Sequence, residues 1–282
     1  MSSFFNIPFV QILLLPFFCT VVLISLLRLM GPGIKTANAA VGTAFAWVCA
    51  FILGSPDFPP AFNSSAILSA TVSLLAIGMI LDLSLGDKMR HGRLIETITL
   101  ILSCIGVTIW MRGGIDLGSI PIFLGCGAVL FSLQRVANHK EFGSGMSSLL
   151  LFLIAGGLGI IAWISNITAD RDLAFGLSSI SFGFFAWNYP KPKLLFGHGV
   201  LLAGGGGLYM IAVRLIEQSP SLIPALIILG FIFFADNAVQ HFPNNFKLSR
   251  SLPISIKFLS LALIPLMLAI IAAVISNELP VN

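Results

Sequence analysis

The chain has 282 residues, of which 57% are apolar and only 9% charged, with a formal net charge of +4. Soluble domains carry roughly 25% charged residues, so this composition excludes an ordinary water-soluble domain. The small positive surplus is scattered over short connections and forms no nucleic-acid-binding patch.

A bilayer core takes about 20 apolar residues per helix. The apolar pattern predicts spans near 8–27, 37–54, 65–83, 94–111, 118–134, 147–165, 173–187, 194–213, 221–235 and 255–276. The expected class is therefore an all-α polytopic membrane protein, a single transmembrane domain of ten helices over residues 1–282. The first run is not read as a cleaved signal, although Ala37-Asn38-Ala39 loosely resembles a cleavage site. Residues 1–10 carry no basic side chain, whereas Arg28 and Lys35 follow the run, the reverse of a signal peptide.

Basic residues sort by connection. Arg28 and Lys35 fall in the first, Lys88, Arg90 and Arg93 in the third, and Arg135 and Lys140 in the fifth. Lys191 and Lys193 fall in the seventh, and Lys247, Arg250 and Lys257 in the ninth. Only Arg112, Arg171 and Arg214 lie elsewhere, out of 15 Lys and Arg in all. Basic connections stay on the cytoplasmic side, so the sorting predicts both termini outside.

Helices in lipid pack through small residues. Ala155-Gly156-Gly157-Leu158-Gly159 and Ala203-Gly204-Gly205-Gly206-Gly207 are expected to be such surfaces. Cys19, Cys49, Cys104 and Cys126 sit inside spans without paired spacing and read as ordinary lipid-facing or packing thiols. Asn63-Ser64-Ser65 and Asn166-Ile167-Thr168 match the glycan acceptor pattern, too short a match to carry weight.

The informative polar residues are expected at the inner face. Asp82, Asp87, Glu96, Glu141 and Asp236 fall there, with His91, His139, His198 and His241. Charges close to hydrocarbon are costly and face a cavity or a partner. Asp82, Glu96 and Asp236 lie at helix ends, where simple solvation explains them least well.

Gly78-Met79-Ile80-Leu81-Asp82-Leu83, then Leu85 and Arg93, resembles a segment of the polyprenyl-phosphate N-acetylhexosamine-1-phosphate transferases, glycosyltransferase family 4. These include the phospho-MurNAc-pentapeptide translocase and its GlcNAc-1-phosphate relatives. The family has two adjacent aspartates where this chain has Asp82-Leu83. Asn138-His139-Lys140-Glu141-Phe142-Gly143-Ser144-Gly145-Met146 is similar to the family's fifth connection. There Arg135 stands for an Asn, Glu141 for an Asp and Ser144 for a second Asp, while Asn138 and Gly145 match. In the seventh connection, Asn188, Pro190, Lys193 and Gly197 fit, but His198 replaces an aspartate. Asp236 stands where the family has an aspartate ending its ninth span, and the final His-rich loop is missing. The resemblance covers about residues 73–240.

The resemblance implies ten spans, external termini, and an inner-face site that joins polyprenyl phosphate to a UDP-sugar. That reaction needs Mg²⁺ to neutralise phosphate oxygens, and Mg²⁺ wants hard oxygen ligands. In an active member, Asp82, Glu141 and Asp236 would be catalytic, with Asp82 and Asp236 on the metal. Several carboxylates have been exchanged for neutral or basic residues, so the leading expectation is a catalytically impaired member. Arg135, Asn138, Lys140, Asn188, Lys193 and His198 would then bind a polyprenyl-phosphate-like lipid, without a cofactor, or the scaffold would bind a partner. Two alternatives stay open: an active Mg²⁺-dependent transferase of cell-envelope glycan synthesis, and an unrelated ten-span carrier or assembly factor. A carrier should have ionisable or broken-helix sites near the midplane, and none is read among the outer halves of the spans. The expected location is the bacterial inner membrane, with a homodimer or partner membrane protein as possible company and no nucleic acid.

Overall fold

A computed structural model of the chain describes residues 10–29, 36–54, 66–84, 92–114, 116–139, 143–189, 194–241 and 254–278. Among these residues the structure is all-helical. In chain order the helices are α1 (Val10–Leu29), α2 (Ala39–Leu53), α3 (Ala66–Ser84), α4 (Gly92–Arg112) and α5 (Ser119–Ala137). Then follow α6 (Gly143–Ile164), α7 (Thr168–Asn188), α8 (Val200–Gln218), α9 (Pro220–Gln240) and α10 (Ile254–Glu278). All except α2 and α7 are long and apolar enough to cross a membrane, eight among the described residues. Helix α2 has only 15 residues, and α7 carries Asp170, Arg171 and Asp172 in its first turns. The membrane-protein class is thus shown at eight candidate spans, each on a segment predicted from apolar content.

Burial separates the bundle into an inner and an outer set. About 72% of the most apolar stretch is enclosed in α6 and α8, against 22% in α1. The outward faces are apolar, with Phe18, Ile80, Leu124 and Ile227 more than half exposed. Such a surface suits lipid, which solvates it as well as a protein core would.

The glycine-rich runs make close contacts. A methyl group on Gly157 would lie 2.5 Å from Leu229 of α9, and one on Gly159 would lie 2.7 Å from Phe175 of α7. On α8, methyls at Gly205 and Gly206 would meet Leu133 at 2.8 Å and Leu74 at 2.6 Å. Gly207 abuts Phe45 in the same way. The predicted packing role of both runs holds. The thiols of Cys104 and Cys126, on neighbouring helices α4 and α5, face each other, a proximity their spacing did not reveal.

Three boundaries differ from expectation. Helix α8 begins at Val200, in a π-helical turn through Gly205, and 194–197 is non-helical. The Asn188 side chain accepts a hydrogen bond from the Leu194 N–H at 2.8 Å, holding that connection out of the helix. Helix α7 starts at Thr168, because Asp170 has a partner inside the bundle. Arg214 Nε lies 3.0 Å from its Oδ1, and Gln218 Nε2 donates to its Oδ2 at 2.6 Å. Asp170 is completely buried, so an ionisable pair does lie inside the bundle, in the half expected to face outward, contrary to expectation. Finally, α9 is interrupted by a 3-10 turn, Phe231–Phe234, and continues to Gln240.

Candidate functional site

Successive helices run antiparallel, so one end of the bundle gathers the C-termini of α3, α5, α7 and α9 with the N-termini of α4 and α8. This is the end predicted to face the cytoplasm. Asp82 lies in the last turn of α3 and meets the start of α8. Its Oδ1 accepts the His198 backbone N–H at 2.8 Å, and its Oδ2 accepts the Gly199 N–H at 3.1 Å. The first N–H groups of a helix have no partner within it, and a carboxylate there is also favoured by the helix dipole. Asp82 is therefore a cap for α8 delivered from another helix.

Close approach makes the cap feasible. Gly78, one turn before Asp82, faces Gly199, and a Cβ there would lie 2.7 Å from the Gly199 Cα. A Cβ on Gly197 would lie 2.6 Å from Asp82 Oδ2 and would also strike the Asn38 side chain. The 197–199 backbone can reach the carboxylate only because Gly78 and Gly197 lack side chains.

The His198 ring then links three helices. Its Nδ1 lies 2.8 Å from Asp82 Oδ1, and its Nε2 lies 3.0 Å from Glu96 Oε1 in the first turns of α4. Only the protonated imidazole donates from both nitrogens. Burial alone pushes the ring pKa down, but the hydrogen bond and charge of Asp82, reinforced by Glu96, raise it above the ordinary 6.5. Gln134, near the end of α5, donates its Nε2 to the same Glu96 Oε1.

The next residue starts a second linkage. Arg135 Nη2 donates to Asp236 Oδ1 at 2.7 Å and to the Phe233 carbonyl at 2.8 Å. That carbonyl sits where α9 changes from 3-10 to α spacing. The guanidinium carbon also lies 5.7 Å from the centre of the Phe234 ring. Asp236 is 2% exposed and Arg135 41%, so the carboxylate is enclosed while its cation reaches outward.

Beside this chain of contacts opens a cleft of about 580 Å³, lined by Glu96, Thr97, Phe131, Gln134, Arg135 and Asn138. On the far side of Phe234, α9 and α10 form an apolar groove of about 310 Å³, with Ile228, Phe231, Leu261 and Pro265 in its walls. Arg135 and Phe234, in contact, separate the polar cleft from the apolar groove.

Asp82, His198, Arg135, Asn138 and Asp236 thus come together at one end, as their positions in the sequence predict. Asn188 does not join them; it is buried and ties the Leu194 backbone. Lys140, Glu141 and Lys193, and His91 and Asp87, lie outside the described residues. The described histidines do not converge: His139 contacts Gln240, and His241 bonds its own helix at Asn237. Among the described residues no group of three or more His, Cys, Asp or Glu side chains is arranged to hold a metal ion.

Glu96 is central to the cluster, although the resemblance assigns it no role. The signal was its position, a carboxylate at the start of an apolar helix. Gln134 and Thr97 gave no signal, being ordinary polar residues next to a charged one. No protein-family model matches the chain, and no curated protein matches it.

Proposed function

We propose that this chain is a divergent, catalytically silent protein on the scaffold of the polyprenyl-phosphate sugar-1-phosphate transferases. In this reading it sits in the bacterial inner membrane with ten spans and both termini outside. Its inner-face cleft binds the phosphate of a polyprenyl-phosphate-like lipid through Arg135, and no metal takes part.

The observation that carries the reading is the engagement of Asp82. Both of its oxygens accept backbone N–H groups at the start of α8, and Oδ1 also faces the His198 ring. A carboxylate so occupied does not fit a Mg²⁺ ligand, which must offer lone pairs at near-ideal octahedral angles. Asp236 fits no better, since its Oδ1 is held by a guanidinium. Where the resemblance calls for a metal between phosphate and carboxylates, fixed cations occupy the carboxylates directly. The neighbouring α9–α10 groove favours a lipid ligand, because an apolar tail there would keep a phosphate within reach of Arg135.

The test uses the purified protein in phosphatidylcholine nanodiscs titrated with a polyprenyl phosphate. Saturable binding is expected, weakened about tenfold by Arg135→Gln, the worth of one charge-assisted contact. UDP-sugars with Mg²⁺ and polyprenyl phosphate should release no UMP. Absence of saturable binding, or release of UMP, overturns the reading.

A further inference from the structure

We infer that the cleft takes a phosphorylated head group that also bears a primary ammonium, with the phosphate on Arg135 and the ammonium on Glu96. This deepens the phosphate-binding reading above and rests on it.

The first argument is local: Glu96 is the carboxylate of the cluster with an oxygen to spare. Asp82 has both oxygens on the His198 and Gly199 N–H groups, and Asp236 is enclosed against Arg135, whereas Glu96, among the described residues, is engaged through one oxygen only and borders the cleft. A half-buried carboxylate oxygen near hydrocarbon calls for a donor of its own.

The second argument is which oxygen that is. Both contacts to Glu96, from His198 and Gln134, fall on Oε1. Oε2 has none among the described residues, and Glu96 lines the cleft with 22% of its side chain exposed. Likewise both contacts of Arg135 use Nη2, leaving its Nη1 and Nε edges without a partner among the described residues. The cleft therefore presents one acceptor carrying negative charge and one set of cationic donors, on α4 and α5 respectively.

The third argument is selection. A bare phosphate held by Arg135 would share the cleft with the Glu96 carboxylate and be repelled by it. A ligand with an ammonium beyond its phosphate turns that repulsion into a hydrogen-bonded ion pair. The cleft, at about 580 Å³, leaves room for a substituent next to the phosphate. A quaternary ammonium has no N–H to give Oε2, so a primary amine is preferred. An aminoalkyl phosphate on a glycerolipid and an amino-sugar phosphate share this chemistry.

The experiment is calorimetric titration of the protein in phosphatidylcholine nanodiscs with O-phosphoethanolamine, phosphocholine and ethyl phosphate. O-phosphoethanolamine should bind about tenfold tighter than either of the others, as expected for one charged hydrogen bond. Glu96→Gln should erase that preference while ethyl phosphate binding persists. Two further arms, glucosamine-1-phosphate against its N-acetyl form and nanodiscs with and without phosphatidylethanolamine, identify the source. A preference for the free amine in either arm supports the inference. Equal binding of ethyl phosphate and O-phosphoethanolamine, abolished by Arg135→Gln, overturns this inference and leaves the phosphate site intact. Binding of neither probe, together with no binding of polyprenyl phosphate, overturns both.

Discussion

Asp82 and His198 are 116 residues apart, yet the Asp82 carboxylate accepts the His198 backbone N–H and faces its ring Nδ1, each at 2.8 Å. One residue pair thereby fixes the end of α3 to the start of α8 and aims the imidazole at Glu96. Fold and site share this contact, so changes to it should register in both.

Replacing Asp82 with alanine removes the cap of α8 and one partner of the ring. The expected cost is about 2–4 kcal/mol, one cap plus one charged hydrogen bond at a largely buried position. Thermal unfolding in detergent measures it. An unchanged midpoint would show that the contact does not hold the two helices together.

The same pair sets a pH dependence. Folding raises the His198 pKa above its ordinary 6.5, so the folded state binds the proton more tightly than the unfolded chain. The stabilisation is fully present below about pH 6.5 and is lost as pH rises through the folded-state value. Between pH 6 and 9, the stability difference between the native chain and His198→Gln should shrink with rising pH. A difference that stays flat or grows contradicts the assignment of the ring as a cation.

Gly78→Ala places a methyl 2.7 Å from the Gly199 Cα, in backbone that cannot turn aside as a side chain would. A loss of about 1–3 kcal/mol is expected from overpacking. Gly127→Ala, on α5 with open space around it, is the matched control and should be neutral or slightly stabilising. Equal behaviour of the two variants would remove the close approach of α3 to α8 as a constraint.

At the opposite end of the bundle, Arg214→Gln leaves the wholly buried Asp170 without its cation. Breaking a buried pair from one side costs about 3–5 kcal/mol. The double variant Asp170→Leu with Arg214→Leu should recover much of that loss. If the single and double variants unfold together, the pair contributes packing alone.

Much of this was legible in the sequence, and the reason is lipid. A membrane demands long apolar runs, so the helices stood out, and polar residues at their ends marked themselves by cost. Asp82 and Asp236 stand out that way, Arg135, Asn138 and His198 through the family resemblance, and the five lie together. Partnerships were less visible than positions. Nothing in Asp82 announces that it serves another helix as a cap, because that depends on Gly78 and Gly197 letting two backbones meet. The pairing of Asp170 with Arg214 has no signal in the sequence, since their burial arises only when α7 and α8 are brought side by side. The late start of α8 was hidden because Leu194, Leu195 and Phe196 are as apolar as the helix that follows. It is the Asn188 side chain, from the previous helix, that claims the Leu194 N–H.

The Arg135 guanidinium rests on Phe234, at the seam between a wet hollow and a dry furrow; in the proposed orientation that furrow faces the acyl tails. A ligand that enters along such a seam arrives from a two-dimensional solvent. Occupancy should then follow its mole fraction in the leaflet and be nearly indifferent to the volume of buffer around the membrane.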